Sequence, residues 1–113
     1  MDLENSIQKE FEYYISTKQI LLARKFYEKQ KTKPKITENI KKTIQGAYIE
    51  LLNRDRREEA YQLYELTKIR PDLNNNKITY VVKNLKNTVE NKEKSKQKSE
   101  YELSYMKKIL KIV

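Results

Sequence analysis

Shifted against itself by 37 residues, the chain meets itself at positions suited to a helical core. Phe11 falls on Tyr48, Tyr14 on Leu51 and Ile15 on Leu52. Ala23 falls on Ala60, Tyr27 on Tyr64, Glu28 on Glu65, Pro34 on Pro71 and Ile36 on Leu73. Four of these pairs are identical and the others stay apolar. A second shift carries Ile44 onto Val81, Tyr48 onto Leu85 and Leu52 onto Val89. A period of this length is that of a stacked supersecondary unit, which leaves an apolar face that only its neighbour can cover.

The apolar spacing within each unit is helical. Ile7, Phe11, Tyr14 and Ile15 share one helix face, and Ser16-Thr17 predicts a hydroxyl cap for a second helix bearing Leu22, Ala23, Phe26 and Tyr27. Lys33-Pro34 ends that helix, because the residue before proline resists helical ψ. Thr37 predicts the cap of a third helix with Ile40, Ile44, Ala47, Tyr48, Leu51 and Leu52 in one stripe. Asp55-Arg56-Arg57-Glu58 has the form of a capping box ahead of Ala60, Leu63, Tyr64 and Thr67. Arg70-Pro71 stops the fourth helix, and one of Asn74 to Asn76 caps a fifth carrying Ile78, Val82, Leu85 and Val89. A second capping box, Ser99 to Glu102, opens a last helix with Leu103, Met106, Leu110 and Val113 on one side, widened by Ile109 and Ile112.

The expected fold is therefore all-α, with about six helices paired as three stacked antiparallel hairpins, a short α-solenoid. Residues 1–90 form the helical-repeat domain, 91–98 a basic polar linker and 99–113 an amphipathic capping helix. Composition agrees: one glycine is too few for the turns and bulges of most sheets. Apolar residues are 37% of the chain and charged ones 36%, so the surface is unusually polar for its size.

The segment Ala47 to Leu73 resembles tetratricopeptide and pentatricopeptide hairpins. It carries Ala60-x3-Tyr64 followed by Arg70-Pro71-Asp72-Leu73, and the likeness covers roughly residues 7–90. The interval from Ala60 to Pro71 is shorter, and the 37-residue period longer, than in either family. The resemblance implies the helical-hairpin fold. It would also imply base reading of single-stranded RNA near Asp72, but the counterpart is Lys35, the wrong type of residue for that code, so only the fold is carried over.

Charge gives the functional expectation. The formal net charge is +9, divided as −3 over residues 1–17, +7 over 18–42, −1 over 43–73 and +6 over 74–113. The candidate nucleic-acid-binding residues follow from the two basic blocks. They are Lys29, Lys31, Lys33 and Lys35 at a hairpin tip, Lys41 and Lys42 on the next helix, and Lys92, Lys94, Lys96 and Lys98 in the polar run. Lysines that neutralise phosphates release counterions. The competing reading is a merely solvated lysine surface. Tyr13, Tyr61, Tyr80, Tyr101 and Tyr105 fall beside the stripes and are candidates for base stacking. Arg54, Arg56 and Arg57 are expected to pair with nearby Glu50, Glu58 and Glu59.

Catalysis has no visible centre. The chain lacks Cys and His, which removes thiol and imidazole chemistry and the usual zinc ligands, and it has no Gly-rich phosphate loop. No cofactor, metal, membrane or small-molecule substrate is expected. The acidic N-terminus without an apolar stretch predicts a cytoplasmic protein. The favoured reading is a non-catalytic binding module contacting RNA within a larger ribonucleoprotein. The alternative is an adaptor whose groove holds a peptide or partner helix, and DNA binding in a phage or mobile element ranks third.

Overall fold

The computed structural model describes residues 3–94 and 100–113. They form six α-helices: α1 (Leu3–Ser16), α2 (Ile20–Lys29), α3 (Glu38–Asn53), α4 (Arg57–Thr67), α5 (Asn76–Lys94) and α6 (Glu100–Ile112). No strand occurs among the described residues. Sequential helices pair as hairpins, α1 with α2, α3 with α4 and α5 with α6. Between hairpins, α1, α3 and α5 pack in one layer and α2, α4 and α6 in the other. The shortest extent of the molecule, 19 Å, is that of two helix diameters.

Packing rather than propensity holds these helices. The ten residues of α2 are too few to persist alone in water. Each fully buried Leu, Ile or Phe contributes roughly 1.5–3 kcal/mol, and Phe11, Ile15, Ile40, Ile44, Leu51, Leu63 and Ile78 are all fully buried. Ala23 and Ala60 are fully buried too, where a small side chain lets two helix backbones approach. Pro34 and Pro71, in the middle of the inter-hairpin connections, are likewise buried.

Three stripes differ from expectation. In α2 the buried residues are Ile20 and Ala23, whereas Leu22 is 46% exposed. Successive helical residues lie about 100° apart, so Leu22 turns away from the face that Ala23 and Ile20 bury. In α5, Val81 is buried and Val82 only half-buried, completing Ile78, Val81, Leu85 and Val89. In α6 the closing buried residue is Ile112 rather than Val113.

Two expected caps are also corrected. Ser16 and Thr17 do not start α2; their hydroxyls donate back to the Tyr13 carbonyl at 3.0 and 2.8 Å. Asp55 does not cap α4, whose N-cap is Arg56, with no side-chain hydrogen bond. The reason is the same in both hairpins. Lys18 and Asp55 adopt left-handed φ values of 59° and 60°. That conformation closes the preceding helix through backbone bonds, Gln19 N–H to Tyr14 O and Arg56 N–H to Leu51 O, each 2.8 Å. Asp55, used this way, cannot take the extended geometry of an N-cap, and in the first hairpin Ser16 still belongs to α1 while Gln19, after Lys18, takes the N-cap position. The other two caps form as expected. Thr37 Oγ1 accepts from the Ile40 N–H at 3.2 Å, and Asn75 Oδ1 from the Lys77 N–H at 2.9 Å.

The polar run after Val89 begins as helix, since α5 continues to Lys94. Ser99, the proposed start of the second capping box, lies outside the described residues. α6 packs on both α4 and α5 and so closes the stack.

Candidate nucleic-acid interface

Because successive hairpins run the same way, the connections 30–37 and 68–75 lie at one end of the stack. The C-termini of α2, α4 and α6 and the N-termini of α1, α3 and α5 converge there. The tight turns around Lys18 and Asp55 occupy the other end. This partition separates the charge into two kinds.

At the turn end, cations are paired. Lys18 Nζ lies 2.8 Å from Glu50, and Arg54 lies 3.1 Å from the same carboxylate. The hydrogen bond from Lys18 holds the Glu50 carboxyl below its usual range. Arg57 contacts Asp55 at 2.8 Å, and Arg56 pairs with Glu59 while donating to the Lys18 carbonyl at 3.0 Å. The Tyr101 hydroxyl donates to Glu58, which raises its pKa to about 12. The arginines here serve the turn, as their carboxylate neighbours in the sequence suggest.

At the connection end, lysines face water. Lys29 is in the last turn of α2, and Lys31 and Lys35 stand exposed on the connection to α3. Lys42 is exposed on the first turns of α3. Among the described residues, no carboxylate lies within ion-pair distance of Lys29, Lys31, Lys35 or Lys42. Lys41 pairs with Glu38 at 3.1 Å, an exposed contact of little energetic weight.

Lys33 has an internal task. Its Nζ donates to the carbonyls of Tyr27 at 2.7 Å and Glu28 at 3.2 Å, satisfying the open end of α2. It also lies 4.9 Å from the centre of the Tyr27 ring. Lys68 sits over Tyr64 at 5.6 Å. Lys33 is thus better described as a C-terminal cap than as a free cation.

The connection bearing these lysines is fixed by one glutamine. Gln8 on α1 donates through Nε2 to the Lys35 carbonyl at 2.7 Å, and its Oε1 accepts from the Lys35 N–H at 2.9 Å. Gln45 on α3 repeats the arrangement, donating to Arg70 O at 2.9 Å and accepting from Asp72 N–H at 2.8 Å. Gln8 and Gln45 are separated by 37 residues, as are Lys35 and Asp72 and the left-handed Lys18 and Asp55. Sequence reasoning paired Lys35 with Asp72 but missed the Gln8–Gln45 and Lys18–Asp55 pairs. The signal was present in the same offset that matched the apolar residues.

Beside each glutamine lies a groove of the first-helix layer. One of about 380 Å³ is lined by Asn5, Gln8, Thr32, Lys33, Lys35 and Thr37. Another, of about 620 Å³, lies between α3 and the start of α5, with Lys42, Gln45, Ile49, Asp72 and Lys77 in its wall. Tyr80, 65% exposed, borders a third of about 250 Å³ with Ile49, Asn53 and Asn76.

The second basic block does not join the first. Lys92 and Lys94 sit at the far end of α5, on the turn side of the stack. Lys96 and Lys98 lie outside the described residues. Of the stacking candidates, Tyr13, Tyr80 and Tyr101 are each more than half exposed, Tyr13 lying edge-on to Tyr14. Tyr61 and Tyr105 pack together at 6.3 Å beneath Lys108, and the Tyr101 ring lies against Tyr105 at 5.3 Å.

Among the described residues no group of three or more His, Cys, Asp or Glu side chains is placed to hold a metal ion, and no helix is long and apolar enough to cross a membrane. Compared with protein-family models, with curated proteins and with solved structures, the chain matches none.

Proposed function

We propose that this chain is a non-catalytic helical-repeat module of the cytoplasm that binds RNA within a larger ribonucleoprotein, through the connection end of its stack. The observation that carries the reading is the set Lys29, Lys31, Lys35 and Lys42. These ammonium groups share one end of the molecule, lie outside ion-pair reach of any described carboxylate, and flank a connection whose backbone Gln8 holds in place. A fixed row of solvated cations suits a phosphate backbone, since neutralisation there releases counterions without breaking internal pairs. The ion-paired arginines of the opposite end would have to give up their carboxylates first.

Fluorescence anisotropy with a labelled single-stranded RNA, at two salt concentrations, tests this. Each phosphate contact contributes about 0.7 to the slope of log affinity against log salt for a single strand. Replacing Lys29, Lys31 and Lys35 together by Gln is expected to lower that slope by about 2. An affinity that does not change with salt refutes the reading.

A second reading is supported by the groove between α3 and α5. It is lined by Gln45, Asn76 and the apolar Ile49, and the last two also line the adjoining groove with Asn53 and the open ring of Tyr80. Such a mixture suits a peptide or a partner helix. Acidic-peptide binding that survives the triple lysine change and fails on Tyr80→Ala selects this adaptor role over RNA binding.

A further inference from the structure

The 37-residue offset also identifies a face that is missing a neighbour. α3 packs on α1, α4 and α5, and α4 on α2, α3 and α6. By contrast α1 touches only α2 and α3, and α2 only α1 and α4. In the second hairpin Leu51 and Leu63 are fully buried, and Glu50 reaches Lys18 of the first hairpin. Counted back by 37, these positions are Tyr14, Phe26 and Tyr13. No described element covers them. Tyr13 is 57% exposed, and Leu22, on the same edge, 46%. Tyr14 and Phe26 are half-buried, their rings 5.7 Å apart, with Tyr13 stacked edge-on to Tyr14 at 5.9 Å. A terminal repeat ordinarily turns a polar face outward. This one turns out aromatic rings and a leucine.

We infer that this edge is the contact surface of a homodimer, with the first hairpin of a second copy as its occupant. Charge supports a self-complementary contact. Beside the aromatic edge α1 carries exposed Glu10, which accepts from the Tyr14 hydroxyl, and α2 carries exposed Lys25, whereas Glu12 and Arg24 turn to the second hairpin through Asn39 and Glu65. A two-fold axis parallel to the helices, beside this edge, lays α1 of one copy on α2 of the other, antiparallel as the two helices are within one hairpin. Glu10 of each copy then approaches Lys25 of its partner around a centre of Tyr13, Tyr14, Leu22 and Phe26.

Sedimentation equilibrium of the full chain, from micromolar to near-millimolar loading, reads the proposal directly. The expected species is a dimer whose dissociation constant rises at least about tenfold on Leu22→Glu, a change of about 1.4 kcal/mol. Glu10→Lys and Lys25→Glu are each expected to weaken association, and the double change to restore it, because an isologous contact exchanges both partners at once. All three side chains are exposed, so helical circular dichroism should be unchanged. A monomer throughout the range, growth beyond two copies, or a charge swap that fails to rescue the dimer each overturns the inference.

Discussion

Replacing Gln45 by Ala removes a contact that no apolar pattern would reveal. The amide spans the connection between hairpins, with Nε2 donating to Arg70 O at 2.9 Å and Oε1 accepting from Asp72 N–H at 2.8 Å. Each such bond contributes about 0.5–1.5 kcal/mol net, and partial exposure places both in the lower half of that range. Gln45→Ala should therefore cost about 1–2 kcal/mol. For a chain of this size each kcal/mol moves the melting temperature by about 4 °C, giving a loss of about 4–8 °C. Gln8→Ala removes the matching pair at Lys35 and should cost a similar amount. The two sites share no partner, so the double variant should be additive to within about 0.5 kcal/mol. Gln45→Glu is the sharper probe. At neutral pH it keeps the acceptor for Asp72 N–H but opposes a carboxylate to the Arg70 carbonyl, so it should be no more stable than Gln45→Ala. Urea titration followed at 222 nm measures all four proteins. A loss below about 0.3 kcal/mol for both alanine variants would show that the glutamines are ornaments of a connection held by its buried prolines alone.

Three further outcomes follow from individual contacts. Tyr48→Phe deletes the hydroxyl that donates to Ile69 O at 2.6 Å, leaving a partly buried carbonyl unpaired, and should cost about 1–2 kcal/mol by urea titration. Ala60→Leu places a larger side chain where the helices leave no exposed surface, and overpacking should cost about 1–3 kcal/mol, with Ala23→Leu behaving alike. Tyr101, held up to about 12 by Glu58, keeps its proton in the native state above the ordinary tyrosine value of about 10. The stability it adds is complete below about 10 and is lost as the pH rises through about 12; Glu58→Gln should return its ultraviolet titration towards normal.

How far the candidate site was legible can be seen in its lysines. Sequence marks Lys29, Lys31, Lys33, Lys35, Lys41 and Lys42 alike, because each is a cation in a basic stretch. Structure distinguishes them. Lys33 is turned back onto the carbonyls of Tyr27 and Glu28, and Lys41 meets Glu38, while Lys29, Lys31, Lys35 and Lys42 stay in water. The second basic block enters the candidate set by charge alone, as the first does, yet Lys92 and Lys94 stand at the opposite end of the stack. Charge per segment says nothing of direction, and the alternation of helix sense carries one block away from the other.

The sequence alone determined the helices, their number and their pairing, since apolar spacing and proline positions act within one or two turns and need no distant partner. It also held the 37-residue offset that places Phe11, Ala23 and Tyr27 opposite Tyr48, Ala60 and Tyr64. Tertiary structure decided which face of each helix was covered and which residues closed each turn. Leu22 satisfies the local pattern but lies on an edge without a described neighbour, and Asp55 has the right side chain for a cap but the wrong backbone for one. Both outcomes depend on contacts between hairpins, and those form only after the chain has stacked.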